Sequence, residues 1–240
     1  MKILVCVLMS VIVMTSCNMS AFKNGVKGNG NMVSKEIAID DYNSISVSDK
    51  FDIVYTQKVD EKPYLRIEID ENLVNYVSAT VENNKLTIES TSEINPKHYK
   101  IYTNSTSLSE LSVGGINDIE LKDSIYSENL QISGSGAGHI TAKNLHCKNI
   151  NINMSGIADI TLGGEASNLN MSVSGKANIN AYELKSENAD CSVSGMGYVD
   201  IYASQVLSAH VSGVGKINYK GNPKEKNLST SGIGSIKAKE

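Results

Sequence analysis

The sequence predicts an all-β protein, built as a parallel β-helix-like solenoid of about seven rungs of 19–20 residues. Three observations predict it. A glycine-centred motif recurs seven times from about residue 109, at intervals of 18–21 residues. Polar and apolar residues alternate with the period of a β-strand on both sides of that glycine. A β-branched residue stands four positions after the glycine in every copy. A repeat of this length is typical of a solenoid, whose rungs are stable only when stacked.

The composition argues against a nucleic-acid partner and against a binding site built on aromatic stacking. The 240 residues carry 22 Lys and Arg against 26 Asp and Glu, for a formal net charge of −4. No basic cluster is present to bind phosphates, so we expect no nucleic-acid partner. The chain has no Trp and two Phe, which weakens the case for an aromatic platform that stacks sugars or bases.

The first residues form an export signal. Lys2 precedes an apolar run from Ile3 to Met14 that is too short for a comfortable membrane span. The run ends in MTSC, which resembles a bacterial lipobox except that Met14 stands where Leu is usual. The resemblance implies removal of residues 1–16 and acylation of Cys17, with Asn18 favouring the outer membrane and a periplasmic or surface-facing protein. The alternative is an ordinary signal peptide in which Cys17 is unmodified.

Downstream of the signal, residues 17–35 are rich in Asn, Gly, Ser and Lys and predict a flexible tether. Residues 36–104 carry longer alternating runs and form an N-terminal β region. This region is either a set of wider entry rungs or a small antiparallel cap over the edge of the first repeat, and the turn at residues 82–85 fits a hairpin. Residues 105–240 are the repeat region, and we expect 36–240 to be one continuous domain.

Two columns of the repeat predict the core. The residues four positions after each glycine are Ile119, Ile140, Ile160, Ile179, Val199, Ile217 and Ile236. The residues four positions before it are Leu111, Ile132, Ile152, Met171, Cys191, Ala209 and Leu228. Both columns are expected to face inward, with the glycine at a sharp corner. A disulfide between Cys147 and Cys191 is an alternative in an oxidising compartment, but their different places in the repeat favour free buried thiols.

One outward column is nearly uniform. It consists of Ser112, Ser133, Asn153, Ser172, Ser192, His210 and Ser229. Such side chains either bond between rungs for stability alone or present hydroxyl and amide groups to a glycan or a partner protein.

A second outward column offers the single candidate for chemistry. Asp118, His139 and Asp159 are expected to stack on consecutive rungs, where they could form an acid/base pair or hold a metal ion. The alternative is a solvated ladder whose unlike neighbours avoid repulsion. The histidines and cysteines show no zinc-ligand spacing, so we expect no metal and no cofactor.

The N-terminal region and first repeat together resemble a known family. The matching segments are Tyr42–Val47, Phe51–Ile53, Asp70–Leu73, Lys85–Ile88 and Leu108–Asp118, which includes a Gly-Ile-Asn triplet. They are similar to the bacterial family named putative auto-transporter adhesin, head GIN domain, over about residues 36–238. The resemblance implies an exported β-helical protein, commonly a lipoprotein, and supplies no catalytic residues.

We therefore expect a non-catalytic binding or structural module of the bacterial envelope. Its partners would be the membrane, through the lipid at Cys17, and a glycan, a protein or a second copy of the chain. The alternative is a glycan-processing β-helix enzyme, a lyase or hydrolase, that uses the Asp118, His139 and Asp159 face.

Overall fold

A computed structural model describes residues 25–239 of the chain. It is an all-β solenoid of parallel stacked coils with about six turns, which confirms the predicted fold class. The predicted signal peptide, Cys17 and the start of the predicted tether lie outside the described residues.

Nine strands and one short helix precede the repeats. They are β1 (Val26–Lys27), β2 (Met32–Ala38), β3 (Ser44–Val47), β4 (Lys50–Gln57), β5 (Tyr64–Asp70), a 3-10 helix (Glu71–Tyr76), β6 (Val77–Glu82), β7 (Lys85–Ser90), β8 (Ile94–Asn95) and β9 (Tyr99–Ser105). The repeat region contains β10 (Glu110–Val113), β11 (Ile116–Gly134), β12 (Ala137–Met154), β13 (Ile157–Val173), β14 (Lys176–Val193), β15 (Met196–Val211), β16 (Lys216–Lys220), β17 (Glu225–Thr230) and β18 (Ser235–Ala238).

Each long strand from β11 to β15 makes one turn of the coil and pairs in parallel with the next. The pairing matches the columns predicted from the sequence. Where the repeat length varies, the extra residues are accommodated in the bend between the two halves of a turn, as between Leu121 and Ser124 of β11. Residues on both sides of the bend therefore keep their register with the neighbouring rung.

The N-terminal region combines the two architectures left open by the sequence. Strands β3 and β4 form a further rung, in parallel register with β10 and β11. Strands β7 and β9 stack on the other side of that rung, and β6, β5 and β2 close the end by antiparallel pairing. The predicted hairpin is confirmed between β6 and β7, where Asn83 and Asn84 have the positive φ of 51° and 62° that a tight two-residue turn requires.

The predicted tether is wrong from residue 25 onward. Strand β1 pairs with β8, and β2 pairs along its whole length with β5. Between them, the N–H of Gly30 donates a hydrogen bond to the buried carboxylate of Asp70 at 2.7 Å. This segment has few apolar residues to bury. Its order comes instead from backbone hydrogen bonds to strand β5 and to the carboxylate of Asp70.

The inward columns form the core. Their members are buried in every copy except the last, where Ile236 is only partly buried. Cys191 lies between Met171 and Ala209 as a small apolar residue. The prediction is wrong at the last rung. Leu228 is 40% exposed because no further rung among residues 25–239 covers β17.

The corner glycines are required by close stacking. A Cβ on Gly156 would overlap the carbonyl oxygen of Gly136, and that oxygen accepts the N–H of Ile157 at 2.9 Å. Another corner carries, from β11 to β14, a ladder that the sequence analysis missed. Its side-chain amides bond from rung to rung at 2.8–3.0 Å through Asn129, Asn149, Asn168 and Asn188.

The two described cysteines are free and buried, as the sequence favoured. Burial raises the pKa of the Cys147 thiol to about 11 and that of Cys191 to about 12. Both therefore stay protonated and unreactive near neutral pH. No helix within residues 25–239 is long and apolar enough to cross a membrane.

Candidate functional site

The structure places the nearly uniform outward column in one continuous stack, which we call the serine ladder. Its members pair rung by rung: Ser112, Ser133, Asn153, Ser172, Ser192, His210 and Ser229. Two further residues that the sequence analysis did not assign, Ser46 and Thr87, extend the stack through β3 and β7. Alternation of side chains along each strand keeps all of them on the outer face.

A shallow recess of about 450 Å³ runs along the first rungs of the serine ladder. It is lined only by uncharged residues: Ser46, Val47, Ser48, Ser112, Val113, Gly114, Ser133, Gly134, Ser135, Asn153, Met154, Ser155, Ser172 and Ser174. Two parallel rows of serine hydroxyls therefore border it.

Hydrogen bonding separates the two interpretations of the ladder. Within residues 25–239, the side chains of Ser112, Ser172 and Ser192 form no hydrogen bond to another protein group. Ser133 accepts one bond from Gln131 at 3.4 Å, and the ladder bonds between rungs at one step, from His210 to Ser229. The asparagine ladder, by contrast, bonds at each of its three steps. Most rung-to-rung side-chain bonding of this kind therefore belongs to the asparagines, and the hydroxyls of Ser112, Ser172 and Ser192 are left to water or to a ligand.

The second outward column also stacks as predicted, and we call it the carboxylate–histidine stack. His139 Nδ1 lies 2.7 Å from Asp118 Oδ1, and its Nε2 lies 3.4 Å from Asp159 Oδ2. All three side chains are more than half exposed. The hydrogen bond to Asp118 and the charges of both carboxylates raise the pKa of His139 above its usual 6.5.

Two residues of this face were missed by the sequence analysis. Strand β4 places Asp52 beside Asp118, and β9 places Lys100 beside Asp52. Partial burial and the neighbouring charge of Asp118 raise the pKa of Asp52. A usable signal existed, because Phe51-Asp52-Ile53 has the same alternation as Asn117-Asp118-Ile119.

The stack is built as an ion-paired ladder. His139 fills the space between Asp118 and Asp159, where a glycosidase would need room for the scissile bond or a water molecule. Within residues 25–239, no three His, Cys, Asp or Glu side chains converge on a point that could hold a metal ion.

A third cluster, on the remaining face, was also missed. The rings of Tyr126 and His146 stack with centroids 4.8 Å apart, and His146 Nδ1 lies 2.9 Å from Glu165 Oε1. Gln57 fixes Tyr126 by hydrogen bonds to its backbone N–H and carbonyl. The cluster borders a recess of about 480 Å³ that also contacts Lys185.

Solved structures of similar proteins share this fold. The chain is 29% identical to a putative adhesin from Bacteroides fragilis NCTC 9343, with a TM-score of 0.86 over 90% of this chain and 100% of that one. It is 28% identical to a putative lipid binding protein from Parabacteroides distasonis ATCC 8503, with a TM-score of 0.68 over 90% and 99%. A putative adhesin from the same organism is 26% identical, with a TM-score of 0.71 over 89% and 99%. No curated protein matches the chain.

The family model that matches covers residues 41–223 and is described as putative auto-transporter adhesin, head GIN domain. These residues include the segments from Tyr42 to Asp118 that resemble the family, together with six of the seven corner glycines. The chain belongs to the family of the putative auto-transporter adhesin, head GIN domain.

Proposed function

We propose that the chain is an exported, non-catalytic binding protein of the bacterial envelope, anchored by acylated Cys17, and that its serine ladder binds a neutral glycan. The family description and the two neighbours named adhesins support the adhesin-like, non-catalytic part of this proposal. The apolar run that ends at Cys17 supports the anchor.

The observation that carries the glycan assignment is the uncharged recess of about 450 Å³, in which the hydroxyls of Ser112 and Ser172 have no protein partner within the described residues, whereas those of Ser133 and Ser155 each have one. Each serine hydroxyl can donate and accept a hydrogen bond, as can each sugar hydroxyl. Stacked rungs repeat them at ~4.8 Å, which gives a rigid, regular array. Rigid arrays lose little conformational entropy on binding.

The same lining favours a glycan over a protein. Protein interfaces concentrate their binding energy in Trp, Tyr and Arg, and the recess is bordered by none of these. An acyl chain is a poor fit as well. The apolar cavity beside Gly134 and Met154 has a volume of only about 10 Å³, which is too small to hold an acyl chain.

The ladder is tested with immobilised neutral glycans and the mature protein. Ser133→Ala combined with Ser172→Ala removes two hydroxyls from the recess, and we expect binding to weaken at least about tenfold, since each hydrogen bond contributes about 1 kcal/mol. Thr161→Val, on another outward column, is the matched control. Tyr126→Ala tests the aromatic cluster.

Two results would refute the glycan assignment to the ladder. One is the absence of binding to any neutral glycan in the set. The other is binding that survives the double serine substitution but is lost with Tyr126→Ala, which would move the site to the third face.

The anchor is tested separately by Cys17→Ala. We expect this variant to lose the mass of the acyl chains and to leave the membrane fraction, because stable anchoring requires at least two such chains or signals. An unmodified mass at Cys17 in the parent protein would disprove the lipoprotein assignment.

A further inference from the structure

The position that directly follows each corner glycine carries an outward row that no part of the proposed function uses. We call it the corner ridge. It consists of Ile116, Ala137, Ile157, Lys176, Met196, Val214 and Ile233, one from each copy of the repeat. Strand pairing places the first five on consecutive rungs, and Val214 continues the row because its N–H bonds to the carbonyl of Gly195.

The ridge is apolar at six of its seven positions, Lys176 being the exception, and its five large aliphatic side chains are strongly exposed. Ile116 and Ile157 are each 60% exposed, Met196 58%, Val214 56% and Ile233 81%. Contiguous apolar surface of this kind marks an interaction site in a folded protein. The recurrence of large aliphatic side chains at one offset also sets the ridge apart from scattered surface residues.

The shape of the ridge favours a lipid surface over a protein. It is one side chain wide and ~29 Å long at the spacing of stacked rungs. On one side it adjoins exposed serines, such as Ser155 and Ser174. A specific protein interface buries about 800 Å² per partner with matched shapes, which a single row does not provide. Aliphatic side chains can insert individually among lipid headgroups, and Lys176 has a long stem that lets its ammonium reach the headgroup region.

A short series of contacts links the start of the described chain to the first ridge residue. The N–H of Val26 bonds to the carbonyl of Glu93, and Ser90 bonds to the Asp49 carboxylate at 2.8 Å. The backbone carbonyl of Asp49 in turn accepts the N–H of Ile116, the first ridge residue. Because Glu93 lies three positions after Ser90, this series of contacts keeps Gly25 within about 30 Å of Ile116. The eight residue steps from Cys17 to Gly25 can span at most about 27 Å.

We propose that the corner ridge rests on the surface of the phospholipid bilayer that anchors the chain, so that the solenoid lies side-on to the membrane. The anchor in this statement is that of the proposed function. The contact is made by the ridge, whose small apolar area binds a bilayer weakly and reversibly on its own, so vesicles in excess detect it while membrane fractionation depends on the anchor. Binding then orients the solenoid as well as attaching it.

The contact is tested with an environment-sensitive dye on the ridge. The mature protein offers no reactive thiol within residues 25–239, because Cys147 and Cys191 are buried. Ile157→Cys is therefore labelled selectively, and Asn178→Cys, exposed in a neighbouring column, is the matched control. If mass spectrometry finds Cys17 unmodified, the same measurement is made in the Cys17→Ser chain. Each labelled protein is mixed with phosphatidylethanolamine and phosphatidylglycerol vesicles.

We expect a blue shift and protection from an aqueous quencher at position 157, and neither at position 178. No shift at position 157, or equal shifts at both positions, overturns the inference. A shift at position 157 that grows with protein concentration without vesicles also overturns it, since a second copy would then cover the ridge. Acylation is reported by the mass alone, so failure of the anchor and failure of the ridge contact are distinguished.

Discussion

His139 Nδ1 lies 2.7 Å from Asp118 Oδ1, and the two residues occupy adjacent rungs on the outer face of the solenoid. The hydrogen bond, together with the charges of Asp118 and Asp159, raises the pKa of His139. Protonated histidine therefore connects three consecutive turns electrostatically. The connection weakens when the imidazole loses its proton.

The sign of the resulting pH dependence follows from the raised pKa. The stabilisation that protonated His139 provides is fully present below the pKa of histidine in the unfolded chain, about 6.5. It is lost as the pH rises through the higher pKa of His139 in the folded protein. We expect His139→Asn to lower the free energy of unfolding at pH 5.5 by less than about 1 kcal/mol, because the stack is exposed. At pH 8.5 the difference from the parent protein should shrink, as measured by urea denaturation. Asn178→Ala, in the same column, should show no such dependence on pH.

The stacked corner glycines make a stronger prediction. Any Cβ at position 156 overlaps the carbonyl oxygen of Gly136, so Gly156→Ala must separate two rungs. We expect a loss of more than about 2 kcal/mol in unfolding free energy. Gly114→Ala is the control, since its Cβ would meet Val47 O at an ordinary 3.6 Å. Equal melting temperatures for the two variants would contradict the close stacking.

The repeat region was predictable because its information is local and periodic. Ile140, Ile160 and Ile179 share one offset from the glycine, so one alignment predicts that they are buried in register. Burial at the final rung was not predictable in this way. Leu228 has the same offset as its column, but its exposure depends on whether a further rung covers it.

The N-terminal region was less predictable because its order along the chain differs from its order in space. Strand β10 returns beside β3 although strands β4 to β9 lie between them in the chain. Asp52 and Lys100 therefore join the carboxylate–histidine face from distant positions. The ordering of residues 25–35 likewise depends on Asp70, a single buried carboxylate forty residues away from Gly30.

Asp70 predicts how the cap responds to acid. Burial alone would raise the pKa of its carboxyl, but hydrogen bonds from the N–H groups of Lys97, His98 and Gly30 outweigh that effect and lower it. The stabilisation from ionised Asp70 is thus present above the pKa of aspartate in the unfolded chain, about 3.9. It is lost as the pH falls through the lower pKa of Asp70 in the folded protein. Asp70→Asn should cost about 2 kcal/mol at pH 7.

The difference in unfolding free energy between Asp70→Asn and the parent protein should shrink near pH 3, where the carboxylate of the parent protein begins to gain a proton. Chemical denaturation at the two pH values measures it, and Asp60→Asn, at an exposed position, is the control. A difference that stays constant down to pH 3 would show that the charge of Asp70 does not stabilise the cap.

The carboxylate–histidine stack predicts the outcome of a direct test for catalysis. Its carboxylates flank a histidine along the axis of the solenoid, and no three ligating side chains within residues 25–239 converge on one point. We therefore expect the purified protein neither to cleave neutral or acidic polysaccharides nor to gain thermal stability from divalent metals. A metal ion at one hundred times its dissociation constant would add about 2.7 kcal/mol, which a melting curve detects readily. If such a gain appears, and disappears when His139→Ala is combined with Asp159→Ala, the non-catalytic proposal loses its main support and a glycan-processing enzyme becomes the better assignment.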